Sequence, residues 1–305
     1  MLESAASRPR LAALTGAIFI AFSGILYRFS EVSPATATVF RCLYGLPILA
    51  IVAYAEHRRF GPLPARTVRL AAVAGIFFAG DLLFWHHAIG FVGVGLATVL
   101  GNLQVVVVAI AAWLLFGERP PRATVASLTV ILIGVVLISG VVGVGAYGAN
   151  PVLGVVLGVL TALCYAGYLL VIRRGGGRDL RRVAGPVAVS TASTAIVAAV
   201  VGTVRGELDP IPSWPAHGWL ILLGIASQSV GYLFISMSLP RLPAALTSVI
   251  LLAQPVVAVG LAMVLLAEAP SLPQLAGVAL VVGGIAVATM PFERVRDSLF
   301  GASAG

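Results

Sequence analysis

Apolar runs of about 20 residues, the length that crosses a bilayer core as a helix, recur ten times along the chain. They cover roughly residues 11–30, 33–54, 68–90, 92–116, 121–142, 150–172, 183–203, 217–238, 242–267 and 270–290. Arg, Pro or Gly bounds each run, and the last gives way to a short polar tail at 291–305. Period-two alternation is absent, and backbone groups in lipid must be satisfied within their own segment. The pattern therefore predicts an all-α polytopic membrane protein of ten helices. The first run carries Tyr27 and Arg28 where a small-residue cleavage site would be needed, so it reads as a span and not as a removable signal segment.

The pattern also repeats. A shift of 150 places Phe84 on Phe234, Gln104 on Gln254, Glu118 on Glu268, Pro120 on Pro270 and Gly134 on Gly284. A shift of 143 places Gly24 on Gly167 and aligns the first span with the sixth. Two five-helix repeats are expected, at 1–145 and 150–290, with 291–305 as a cytoplasmic tail. Because five is odd, the second repeat enters the membrane inverted relative to the first, an arrangement of secondary transporters whose sites lie near the midplane. All 19 basic residues are Arg; 16 fall in loops on one side, Arg28 and Arg205 fall on the other, and Arg41 lies inside the second span. The positive-inside bias then puts both termini in the cytoplasm of a cell with this chain in its inner membrane.

Composition removes other classes. With 60% of 305 residues hydrophobic and 10% charged, the chain cannot solvate a water-soluble surface, and the same excess excludes a disordered chain. The net charge of +8 is accounted for by loop Arg residues that set topology, without a nucleic-acid partner. Cys42 and Cys164 lie within apolar runs, which argues against a disulfide framework or a zinc module. Gly143, Gly145 and Gly148 match a dinucleotide-binding spacing but follow a membrane span instead of a soluble strand. No Walker sequence, HExxH or triad order is present, so neither an enzyme nor a cofactor is expected, and any pumping must draw on a gradient or on exchange.

The stretch Gly117-Glu118-Arg119-Pro120 after a long apolar run, Gly134 in the next, and the echo Glu268-Ala269-Pro270 with Gly284 resemble the tandem EamA domains of the drug/metabolite transporter superfamily. Arg41 within the second span fits the same pattern. The resemblance covers residues 11–290. It implies a basket of helices around a central cavity, lined by spans 1, 3, 4, 6, 8 and 9, with spans 5 and 10 peripheral and Arg41 outside the lining. One departure is that the ninth span has Pro255 where the fourth has Val105, so the fourth is expected to be the straighter.

Intramembrane charge is the first pointer to a site. Arg41 and Asp81 both lie two to three residues to the outer side of their span midpoints, about 3–4 Å at 1.5 Å per residue. At matched depth they are placed to form an ion pair, structural or coupling in role. Asp81, Trp85 and Ala88 share one helical face, where a carboxylate beside an indole suits a cationic or amphipathic ligand. His86 is a candidate proton carrier on the cavity side, whereas the adjacent pair His86 and His87 lacks a third metal ligand at suitable spacing. Gln104 and Gln254 are repeat equivalents with Asn102 nearby, and their amides offer donors and acceptors to a zwitterion. Pro255 removes a backbone donor beside Gln254 and predicts a bend there. Thr161, Tyr165 and Tyr168 form one polar stripe, and Gln228 with Tyr232 another.

Together these features predict a secondary active transporter working by alternating access. The expected cargo is a small polar or amphipathic metabolite such as an amino acid, with a proton gradient or exchange as the driving force; the resemblance implies export. Its partners are then a small-molecule substrate, the lipid bilayer and protons. Two other readings stay open: a lipid-linked sugar flippase using basic contacts near Arg173 to Arg182, and a non-transporting membrane receptor or enzyme.

Overall fold

The structure is a computed structural model that describes residues 8–116, 122–142, 145–176, 182–238, 242 and 250–289. The Glu118 and Pro120 motif, the start of the ninth run, Arg178 and Arg181, and the tail at 291–305 lie outside those residues. Among the described residues six helices are long and apolar enough to cross a membrane, and four shorter apolar helices complete the ten spans read from the sequence.

Span 1 comprises α1 (Pro9–Ala21) and α2 (Ser23–Ser30), span 2 is α3 (Pro34–Phe60) and span 3 is α4 (Ala65–Val92). Span 4 divides into α5 (Val94–Gly101) and α6 (Gln104–Phe116), and α7 (Arg122–Ile138) is span 5. The second half runs α8 (Pro151–Gly176), α9 (Ala184–Arg205), then α10 (Ala216–Leu223), a π-helical segment (Gly224–Gly231) and α11 (Tyr232–Ser238) as one span. It closes with α12 (Ala253–Leu265) and α13 (Leu272–Thr289).

Local chemistry sets the ends. Ser33 caps α3 by accepting from Thr36 N at 3.1 Å, with Pro34 at the first helical position. Glu56, at the far end of α3, accepts from the backbone N–H groups of Val183, Ala184 and Gly185 at 2.9 Å each. One carboxylate thus satisfies three donors at the start of α9, where the helix dipole also favours negative charge. Glu268 does the same for α5, accepting from Val94 N at 2.7 Å and Gly95 N at 3.2 Å across a Gly93 turn with φ +87°. Gln274 holds the segment between the halves, accepting from Tyr147 N at 2.8 Å and donating to the Tyr147 and Ile138 carbonyls at 3.0 and 3.3 Å.

Small residues bring the helices together, as expected where packing and not hydrophobicity drives association. A Cβ on Gly75 of α4 would run into the Ser190 carbonyl of α9, and one on Gly134 of α7 would lie 2.8 Å from the Gly277 carbonyl of α13. Helices α7 and α13 pack on each other at the periphery, while α4 lies between α8 and α9. Large apolar side chains face outward, Val264 at 80% and Leu114 at 72% exposure among them, which only a lipid solvent accommodates.

The expectation that span 4 is straighter than span 9 is overturned. Span 9 breaks at Leu252 (φ −65°, ψ −12°), three residues before Pro255, whose missing N–H releases a carbonyl one turn earlier. Span 4 breaks at Asn102 (φ −69°, ψ −10°), the position 150 residues earlier, although no proline is present. Here the Asn102 amide donates to the Thr98 carbonyl at 2.8 Å, and Leu103, Val105 and Val106 donate three residues back instead of four. A side-chain bond to the backbone and a tightened turn do the work that proline does in the other half.

Candidate functional site

A cavity of about 150 Å³ lies where the broken spans meet. Span 1 lends Ile20 and Ser23, α4 lends Asp81, Leu82 and Trp85, and α8 lends Thr161 and Tyr165. Around the two breaks stand Thr98, Gly101, Asn102, Gln104 and Val105 on one side and Leu251, Leu252 and Gln254 on the other. Tyr232 and Ile235 of α11 and Arg41 of α3 complete the wall.

Arg41 and Asp81 do not form the ion pair that their depths predict. The Arg41 guanidinium turns to the π-helical segment, where Nε donates to Gln228 Oε1 at 3.1 Å and Nη2 to Ser227 Oγ at 3.4 Å. Gln228 in turn donates to Thr191 Oγ1 at 3.1 Å. Arg41 is 2% exposed and its Nη1 has no hydrogen-bond partner among the described residues. Asp81 is 7% exposed, and among the described residues its carboxylate has no partner either; Thr161 Oγ1 bonds only its backbone carbonyl, at 3.4 Å. The site therefore places an arginine and a carboxyl side chain on one cavity wall without an ion pair between them. Arg41 also lines the cavity that the resemblance had placed it outside.

Several predicted residues fall elsewhere. Gln228 is fully buried and holds Arg41, without facing the cavity. Tyr168 lies behind Tyr165, stacked on Phe78 with ring centroids 4.9 Å apart and on Tyr165 at 5.6 Å, because the α8 stripe is wider than the opening it borders. His86 is fully buried away from the cavity, with its ring 4.3 Å from that of Tyr27. Thr38 Oγ1 donates to the Pro34 carbonyl at 2.8 Å, so the 2.9 Å contact to His86 Nδ1 has the imidazole N–H as donor and leaves Nε2 without a partner. Trp85, one residue earlier and about 100° around the helix, takes the cavity face instead. His87 turns the other way, its Nε2 3.6 Å from Glu207 Oε2. Pro255 is buried beside the lining and acts through the break at Leu252.

Asn102, Gln104, Tyr165, Tyr232 and Gln254 do line the cavity. Gln104 Oε1 is buried with no hydrogen-bond partner among the described residues. The residues that sequence reasoning missed are Ser227 and Thr191, which steady Arg41 and its partner, and the apolar wall of Ile20, Ile235 and Leu251. A Ser-Gln-Ser run bracketed by Gly224 and Gly231 was the available sign of an irregular polar segment.

Comparison with known proteins speaks to the family and the fold. A search of curated protein sequences finds no match. A crystal structure described only as that of a protein is similar with a TM-score of 0.64, covering 92% of this chain and 98% of its own at 22% identity, which speaks to the fold alone. The profile of the EamA-like transporter family matches residues 9–140 and again residues 152–290, both five-helix halves around the cavity. The polytopic helical basket, the inverted halves and this double match make the chain a member of the EamA-like transporter family, membrane transporters of the drug/metabolite type.

Proposed function

We propose that this protein is a secondary active transporter exporting a small polar or amphipathic metabolite, such as an amino acid, across the inner membrane by alternating access. The observation that carries the reading is that two ionisable side chains at membrane depth, Asp81 and Arg41, line one cavity between the halves without forming an ion pair with each other. A charge at membrane depth is costly, and such residues mark substrate and ion pathways. The two repeats, 1–145 and 150–290, are the bodies that move against each other, with both termini and the tail at 291–305 in the cytoplasm.

Asp81 is assigned the coupling role. A carboxylate without a protein partner is neutralised by a proton or by a cationic group of the cargo, and competition between the two links gradient to transport. The test uses protein in liposomes with a radiolabelled amino-acid mixture supplied outside. Asp81→Asn is expected to abolish accumulation driven by an imposed pH gradient while retaining exchange at zero gradient once the substrate is saturating. Gradient-driven transport at the parental rate between about pH 5 and 8, the range in which a coupling group has to titrate, would remove Asp81 from the mechanism.

A further inference from the structure

The orphaned face of Arg41 has a structural setting that a merely architectural arginine would not need. Helix α3 and the π-helical segment approach until their backbones nearly touch: a Cβ on Gly224 would meet the Arg41 carbonyl at 2.9 Å, and one on Gly45 would meet Gln228 Cγ at 2.9 Å. Ser229 Oγ bridges the segment and α3, its single proton shared between the Gly45 carbonyl at 2.9 Å and the Gly224 carbonyl five residues back at 3.0 Å. The wider turn of a π-helix lets the consecutive residues Ser227 and Gln228 reach the same guanidinium, and such insertions recur at functional sites. Two of the three guanidinium nitrogens are committed by these contacts, and Nη1, itself buried, has no hydrogen-bond partner among the described residues while the side chain borders the cavity.

A buried guanidinium nitrogen with no acceptor is expensive. The Asp81 carboxylate on the same wall does not supply one. We propose that Arg41 is the anion-binding group of the cavity, with Gln228 and Ser227 as positioning residues that aim Nη1 at it. The solute class that satisfies the wall is then a zwitterion whose carboxylate is held by Arg41 and whose ammonium faces Asp81. This rests on the transporter reading and adds to it the side of the cargo that each charge recognises. Gln228, which its sequence position marks as a substrate ligand, acts through Arg41.

The assignment is tested by ligand-induced thermal stabilisation of the purified full chain. The probes are the standard amino acids, their carboxamides, which lack the anion, and their decarboxylated amines. In the parent protein the acids that stabilise are expected to bind about 10- to 100-fold more tightly than their amides, the worth of one or two charge-assisted hydrogen bonds. Arg41→Gln should erase that ratio, and Gln228→Ala, which leaves the arginine but not its aim, should lower it. Should Arg41→Gln fail to fold, Arg41→Lys carries the comparison, since it keeps the charge and loses the planar fork. Amides or amines binding as tightly as acids in the parent, a ratio that survives Arg41→Gln, or no binding by any acid would each overturn the assignment. Liposome uptake of a solute without an anionic group would, in that event, leave the transporter reading standing.

Discussion

Asp81 and Arg41 show how far single residues can be read. A charge in an apolar run declares itself in the sequence, and helix rise fixes its depth; the direction of a long side chain is fixed by neighbours that the sequence does not place. The depth match therefore predicted a pair, whereas the π-helical segment offered Arg41 a Gln and a Ser at closer quarters. Trp85 borders the cavity while Tyr168 sits behind Tyr165, because a helical stripe of three polar or aromatic residues cannot say where the opening ends. Tyr168→Ala is accordingly expected to act on stability and not on the cargo. Removing a ring packed on Phe78 and Tyr165 costs about 3–5 kcal/mol, read as a lowered melting temperature with the KM for uptake unmoved. A raised KM at an unchanged melting temperature would place Tyr168 in the site instead.

At the scale of the element, the internal repeat was a better guide than the residue at each position. Val105 in place of a proline argued for a straight fourth span, yet the break falls at Asn102, in register with Leu252 in the other half. A shared backbone shape survives a change in the chemistry that produces it, here an amide bonded to the preceding turn in one half and a proline in the other. The helix ends were less legible still, since a cap is a contact between residues far apart in the chain, as Glu268 is from Val94. Burial holds the Glu268 carboxyl above its ordinary range, while the N–H groups of Val94 and Gly95 and the more distant Arg28 pull the other way. The folded protein thus grips this proton more tightly than the unfolded chain. Its contribution to stability is full below the ordinary carboxylate pKa and is lost as pH rises through the folded one. Melting curves of the parent should therefore fall away from those of Glu268→Gln as pH rises through the weakly acidic range. Parallel curves would mean that the proton at Glu268 is not linked to folding.

For the molecule as a whole, span count and repeat were legible because lipid leaves the chain little choice: a run of about 20 apolar residues is a helix. The meeting of the broken spans around a cavity was legible only through resemblance, since no periodicity reports which helices converge. Orientation follows from the Arg asymmetry and is testable on a background lacking Cys42 and Cys164. A cysteine at Arg59 should be blocked only by membrane-permeant thiol reagents, and one at Ile211, 80% exposed in the loop before α10, should react with impermeant reagents from outside. The reverse pattern would invert the protein in the membrane. The cross-chain caps carry a further meaning for how such a molecule can be encoded. Glu268 finishes a helix that belongs to residues 9–140, and Gln274 holds Tyr147 at their junction with residues 152–290. Each half completes backbone that the other leaves open. Written as two shorter genes, the halves would be obligate partners, made in step and inserted together, and an ancestor with a single half would have needed a second copy facing the opposite way.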